Sequence, residues 1–295
     1  MTGEGSRPRL MLIAIERADD PRLEDYRDIR DRDAQGAEAR PGLFIGEQFL
    51  IVEKMLARPA MTKSVLIAPQ HLARFEERFE VVRGKRESKL NSFAFPLFVA
   101  APAIMEKVAG FAIHRGVLAV GFRPSPDSLT IDRAVPDRGG SGPLTVLLCE
   151  SIRNIDNIGS LFRNAAAFAV DVVVLSPDCH DPLYRKSIRV SIGHVLSMPW
   201  ARSTNWPRDL DRLKREWNLT LIAAAARSDA VTIDAIAPPQ RVGIVVGSEF
   251  DGLSSDSRTR CDHIARIPMA AGVDSLNVAT AAAVMLHHFS RGERV

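Results

Sequence analysis

The chain has 295 residues, 46% hydrophobic and 25% charged, which is the composition of an ordinary globular protein with enough length for two domains. A formal charge of only +3 excludes a generally basic coat, so any nucleic-acid contact must rest on local patches. No apolar run approaches the roughly 20 residues of a membrane span, and the polar stretch Met1 to Arg9 has no signal-peptide core, so we expect no secretion.

Residues 1–40 are dense in alternating charges, as in ERADDPRLEDYRDIRDRDAQ, and read as a helical or partly disordered lead-in. From Leu43 the texture changes. FIGEQFLIVEKMLA carries Phe49, Val52, Met55 and Leu56 at helical spacing. SVLIAP (64–69) reads as a buried strand, HLARFEERFE as a helix and PLFVAA (96–101) as a strand. PAIMEKVAGF starts a helix at Pro102 and stops near Gly110, and GVLAVGF (116–122) is a third strand. This alternation predicts a small α/β domain over 41–123. Two basic clusters stand out: Arg83, Lys85, Arg86 and Lys89 in RGKRESK, and Arg185, Lys186 and Arg189 in YRKSIR. Each is a candidate RNA contact or merely a solvated face. Residues 124–143, within RPSPDSLTIDRAVPDRGGSGP, hold four prolines and three glycines and read as a linker.

The second half opens with LTVLLCE (144–150), a near-continuous apolar strand of the kind buried in a parallel sheet. SLFRNAAAFAV (160–170) reads as a helix, DVVVLSP (171–177) as a strand, and SIRVSIG (187–193) continues the pattern. LDRLKREWN (210–218) is an amphipathic helix. LTLIAAAA (219–226), RVGIVVGSE (241–249) and HIARIPM (263–269) are strands, and SLNVATAAAVMLHHFSR (275–291) is an Ala-rich closing helix. Residues 144–295 therefore predict an α/β domain with a mostly parallel sheet. The three cysteines, Cys149, Cys179 and Cys261, lack ligand spacing, which fits a reducing cytoplasm and no metal site.

Open parallel sheets bind ligands beyond the carboxyl ends of their strands, and three such ends carry polar clusters. In ESIRNIDNIGSLFRNAA, Asn157 and Gly159 sit at a strand-to-helix turn with Arg163 one helical turn on. This is either a capped helix with a surface arginine or an anion site. In VGIVVGSEFDGLS, Gly247-Ser248-Glu249 is either a tight turn before a helix capped at Ser254 or Ser255, or a close approach to a ligand. In IPMAAGVDSLNVATAAA, Gly272 permits an unusual loop, Asp274 or Ser275 caps the last helix, and Asn277 falls in its first turn.

Taken together, these residues, their order and their separation resemble the SpoU (TrmH) family of RNA 2′-O-ribose methyltransferases, within the SPOUT superfamily. The first motif is met by Asn157, Gly159 and Arg163. The second is met by Gly247, Ser248, Glu249, Gly252 and Leu253, and the third by Ile267, Pro268, Met269, Gly272, Ser275, Leu276, Asn277 and Val278. The resemblance covers about 144–291. More weakly, GLFIGEQFLIVEKML and FAIHRGVLAV, with His114 and Gly116, resemble the ribosomal-protein-like substrate domain often found before it. The sequence departs from the family pattern in three places. Asn164 follows the arginine where Thr-Ala is common, Ala169 stands where a glycine often ends the helix, and Ala279 and Thr280 stand where a serine is common.

The resemblance implies a trefoil-knotted parallel-sheet methyltransferase domain behind a small α/β RNA-binding domain. It implies S-adenosylmethionine as cofactor, held by the loop at Ala224, Ala225 and Ala226, by Gly247, and by Ile267 with Leu276. It implies ribose 2′-hydroxyl attack on the sulfonium methyl, with no metal. Asn157, Arg163, Glu249, Ser275 and Asn277 become the catalytic set. The family proposal makes Arg163 the base. A guanidinium with pKa above about 12 is better suited to gripping phosphate and developing alkoxide charge. The resemblance also implies a homodimer acting on ribosomal or transfer RNA, with an RNA-binding first domain in which the basic patch Arg83, Lys85, Arg86 and Lys89 is the candidate contact. Two alternatives stay open: a resistance methyltransferase of ribosomal RNA, and an inactive RNA-binding assembly factor. A nucleotide-binding Rossmann protein is excluded by the missing G-x-G-x-x-G turn.

Overall fold

A computed structural model describes residues 11–34, 41–84, 95–113 and 116–290. They fall into two compact units. One runs up to Pro124 and includes Leu183–Leu196; the other comprises Ser125–Pro182 and the chain from Ser197.

The first unit holds a five-stranded sheet in the order β1-β4-β3-β5-β2. Its strands are β1 (Met11–Ile15), β2 (Leu43–Glu47), β3 (Thr62–Ile67), β4 (Pro96–Ala100) and β5 (Val117–Phe122). β4 runs parallel to β1 and β3, whereas β5 is antiparallel to β3 and β2. Helices α1 (Ile29–Ala34), α2 (Phe49–Leu56), α3 (Leu72–Gly84) and α4 (Pro102–Ala109) accompany it. Leu23, Tyr26 and Ile29 are wholly buried beside Leu66 and Leu118. The Tyr26 hydroxyl shares a 2.7 Å hydrogen bond with Ser64 Oγ, and burial pushes its pKa far up.

Two sequence expectations are corrected here. Residues 11–34 are not a lead-in: Met11–Ile15 forms β1, and the charged stretch behind it folds onto the core through Leu23, Tyr26 and Ile29. The charges lie on its outer face and pair locally, as Arg22 does with Asp20 and Arg32 with Glu24, so charge density concealed the apolar spacing. In FIGEQFLIVEKMLA the positions at helical spacing, Phe49, Val52, Met55 and Leu56, do lie on α2, but the segment's first four residues belong to a strand, because Leu43–Glu47 pairs along its length with Leu118–Phe122.

The second unit is one seven-stranded, wholly parallel sheet in the order β10-β12-β9-β11-β6-β7-β8. Its strands are β6 (Leu144–Cys149), β7 (Val172–Leu175), β8 (Trp200–Arg202), β9 (Thr220–Ala224), β10 (Val231–Thr232), β11 (Arg241–Val246) and β12 (His263–Arg266). Every residue of the neighbouring β6 and β11 is buried, as continuous apolar runs demand. The helices that follow the first unit in chain order are α5 (Ile131–Ala134), α6 (Ile155–Ala167), α7 (Arg185–Val190), α8 (Arg208–Trp217), α9 (Ser255–Arg260) and α10 (Val278–Phe289). Of these, α7 belongs to the first unit.

The stretch 124–143 is not a free linker. Ile131 and Val135 enter the core of the second unit, and buried Arg241 ties the stretch down through Asp137 Oδ2 at 2.8 Å and the Gly142 carbonyl at 2.6 Å. The YRKSIR cluster is also not a simple basic patch. Arg185 donates to Asp33 Oδ2 at 2.6 Å and Glu47 Oε2 at 2.8 Å, and stacks over the Phe111 ring at 4.8 Å, all within the first unit. Lys85, Arg86, Lys89 and His114 lie outside the described residues, as does the side chain of Arg83.

Candidate active site

The carboxyl ends of β9, β11 and β12, adjacent in the sheet, open into a cavity of about 450 Å³, the size of small-ligand sites. Ala224, Ala225 and Ala226 line it from the end of β9, Gly247 and Glu249 from β11, Ile267 from β12, and Ser275 and Leu276 from the loop before α10. Alanine, glycine and serine make up about half of the lining, which lets a ligand approach the backbone closely. This lining fits a nucleoside-bearing cofactor.

The turn after β11 is rigid. Ser248 and Gly252 pair across it through two backbone hydrogen bonds, Ser248 N to Gly252 O at 3.2 Å and Gly252 N to Ser248 O at 3.1 Å. A side chain at position 247 would put its Cβ 2.2 Å from the carbonyl carbon of Gly252. The glycine there is therefore required first by the loop folding back on itself, and only then by any ligand. Gly272, in the loop before α10, has φ +83°, a left-handed conformation that admits glycine without strain.

Beside the cavity, three motif side chains form one chain of hydrogen bonds. Asn157 Nδ2 donates to Glu249 Oε1, and Asn277 Nδ2 donates to Asn157 Oδ1 at 2.9 Å. Neither asparagine plays the part its position suggested. Helix α6 begins at Ile155, earlier than expected, because Asn154 caps it by accepting from the amides of Asp156 and Asn157. Asn157 and Gly159 thus lie inside the helix, and the Asn157 side chain is left for Glu249. At α10 the cap is Asn277 itself, whose Oδ1 accepts from Ala279 N at 2.9 Å and Thr280 N at 3.3 Å, so Asp274 and Ser275 do not cap. Ser254, one of the two residues considered, does cap α9.

Arg163 is exposed on α6, and among the described residues no hydrogen bond or ion pair ties it to this group. Two departures from the family pattern meet each other: Asn164 Nδ2 donates to the Ala279 carbonyl at 2.7 Å, joining α6 to α10. The alanines of α10 serve this packing, with Ala279 and Ala282 buried.

Sequence reasoning passed over Glu150. It is buried at the end of β6 and accepts from Ser254 N, Ser254 Oγ and Ser257 Oγ at 3.2, 2.7 and 2.9 Å, which anchors the start of α9. A carboxylate closing a near-continuous apolar strand was the available signal. Arg227 and Phe250 also line the cavity and were not singled out. Among the described residues, no group of His, Cys, Asp or Glu could hold a metal ion, and no helix is long and apolar enough to cross a membrane.

A parallel sheet whose strand ends carry a small-residue cavity flanked by an Asn-Glu-Asn hydrogen-bond chain defines an α/β ligand-binding domain built for chemistry at that edge. The family model described as "SpoU rRNA Methylase family" matches residues 144–287. An uncharacterized tRNA/rRNA methyltransferase of Mycobacterium tuberculosis is 36% identical over 278 residues, covering 92% of this chain and 90% of that protein. The chain belongs to the SpoU methylase family, whose methyl donor is S-adenosylmethionine. The 23S rRNA (guanosine-2′-O-)-methyltransferase RlmB of Escherichia coli is 27% identical over 221 residues, covering 72% of this chain and 88% of that one. The AdoMet-bound rRNA methyltransferase of Sinorhizobium meliloti shares the fold, with a TM-score of 0.72 at 20% identity over 94% of this chain and 97% of its own. AviRb of Streptomyces viridochromogenes, a SpoU methyltransferase in complex with AdoMet, does so with a TM-score of 0.70 at 24% identity over 91% and 97%.

Proposed function

We propose that the chain methylates a ribose 2′-hydroxyl in structured RNA, ribosomal RNA before transfer RNA, using S-adenosylmethionine. The observation that carries this reading is the hydrogen-bond chain Asn277–Asn157–Glu249 at the rim of the cavity. It joins one polar residue from each of three strand ends into a single preorganised group. When bound, S-adenosylmethionine supplies an electrophilic methyl group.

A ribose hydroxyl is a poor nucleophile at neutral pH and needs alignment. Glu249, oriented by Asn157, positions the ribose, while Ser275 and Asn277 shape the space about the methyl. Arg163 is exposed and available to grip the adjacent phosphate and stabilise developing oxygen charge. The cofactor rests on Ala224, Ala225, Ala226, Gly247, Ile267 and Leu276. A trefoil knot in which the C-terminal segment threads through an earlier loop and a homodimer through the second unit complete the proposal on family resemblance, and a cytoplasmic setting rests on three cysteines without ligand spacing. The first unit selects the RNA, with Arg83, Lys85, Arg86 and Lys89 as phosphate contacts. Neutralising these four lowers RNA affinity and flattens its salt dependence without altering cofactor affinity.

The test is to map 2′-O-methylation across total RNA from cells with and without the gene, and to restore the lost mark with purified protein and S-adenosylmethionine. Unchanged maps, or protein that binds no S-adenosylmethionine at millimolar concentration, would end this reading.

A further inference from the structure

Phe250 is 97% exposed, whereas the other exposed large hydrophobic residues described are between 37% and 54% exposed. Singly exposed apolar residues are ordinary on a protein surface. This one differs in its mounting and its place. It sits at the tip of the turn closed by the Ser248–Gly252 pairing, and the amide of Asp251 adds a hydrogen bond to Ser248 Oγ at 3.1 Å. The ring is therefore held out on a braced loop, next in sequence to Glu249.

Phe250 also borders two cavities. On one side lies the small-residue cavity already described. On the other is a cavity of about 480 Å³ lined by Ser151, Arg153 and Asn154 with residues 248–251 of the same turn. Arg153, 3.6 Å from Asp178, has a largely exposed side chain. A bare π-face between a cofactor-sized cavity and one that carries an exposed arginine matches a nucleotide. Its base would stack on the ring, its ribose would lie at Glu249, and a phosphate would face the Arg153 guanidinium. Aromatic rings accept any base in this way, because every base offers a π-face.

We propose that Phe250 is a stacking platform for an RNA base, a positioning residue that fixes the target nucleotide over Glu249. The proposal rests on the methyltransferase reading above, and its test separates the two. Full-length protein, with and without S-adenosylhomocysteine, is titrated with a 12-residue adenosine oligoribonucleotide. The control is an equally long oligomer of abasic tetrahydrofuran phosphates. F250L and F250A weaken binding of the adenosine oligomer about 5- to 150-fold, the range expected for one stacked base. F250Y and F250W keep native affinity, and none of the four alters binding of the abasic oligomer. Thermal midpoints stay at the native value, because the side chain packs against little. F250A binding the adenosine oligomer as tightly as native protein overturns the proposal. So does an equal loss on the abasic oligomer, or native protein that binds both oligomers equally or neither. Calorimetry with S-adenosylhomocysteine reports on the cofactor reading independently. Its failure there leaves the stacking claim to the two oligomers.

Discussion

Asn277 donates its side-chain amide to Asn157 Oδ1 at 2.9 Å, joining residues 120 apart in sequence. One side chain thus caps α10 through its oxygen and steadies the Asn157–Glu249 pair through its nitrogen. The two duties separate by substitution. Asn277→Asp keeps the capping oxygen but sets a carboxylate against the Asn157 oxygen. It should unfold within about 1 kcal/mol of native protein, yet lose methyl transfer at least about tenfold, because one hydrogen bond is replaced by repulsion between two oxygens. Asn277→Ala should lose both. Thermal melts beside single-turnover assays measure this, and N277D with native turnover would remove the bridge from the mechanism.

Arg163 is exposed on α6. Arg163→Ala should therefore melt at the native temperature and bind S-adenosylhomocysteine normally, while turnover falls by about 10²–10³-fold, as when one oxyanion donor is lost. Arg163→Lys should recover little if the planar fork grips phosphate. Calorimetry and methyl-transfer rates on the same preparations decide it.

A methyl group at position 247 would meet the backbone of Gly252 and Leu253 at 2.2 to 2.4 Å. Since backbone cannot rotate away, Gly247→Ala should cost about 1–3 kcal/mol of stability, as overpacking does, together with cofactor affinity. A variant that melts like native protein but fails to bind cofactor would mean that the ligand, not the loop, demands the glycine.

Ala169 ends α6 with φ +51°, the left-handed region. An L-residue is strained there by about 1–2 kcal/mol, and glycine returns part of that gain through its freer unfolded chain. Ala169→Gly should raise stability by roughly 0.5–1 kcal/mol. A denaturant midpoint that fails to rise would contradict the backbone assignment.

Burial, helped by Asp262, pushes the Cys261 thiol up to about 12, and burial raises Cys149 and Cys179 as well. Native protein at pH 8 should resist iodoacetamide at all three positions, whereas denatured protein takes up three equivalents, read by mass spectrometry. A thiol raised in the folded state contributes stability that is intact below its ordinary 9.0 and is lost as pH climbs toward about 12. Cys261→Ser should therefore lessen the steepness of alkaline unfolding in that window, and an unchanged profile would contradict the assignment.

The sequence alone determined the elements whose burial pattern is unambiguous. LTVLLC and RVGIVV could be nothing but buried parallel strands, and both are. The family resemblance carried by the three motifs together named Ala224, Ala225, Ala226, Gly247, Ile267, Ser275 and Leu276, all of which line the cavity, but it did not name Arg227 or Phe250. Tertiary structure decided what each polar residue does. Asn154 and Asn157 are both plausible caps three residues apart, and only the position of Glu249 explains which caps and which reaches across. The same holds for β1, for β2 and for Arg185. An edge strand just before a charged stretch, a strand running into a helix and a neutralised arginine are all defined by partners far away in the chain. Local pattern records which face of an element is apolar. It does not record which distant side chain completes a hydrogen bond, and in this protein the site is made of such bonds.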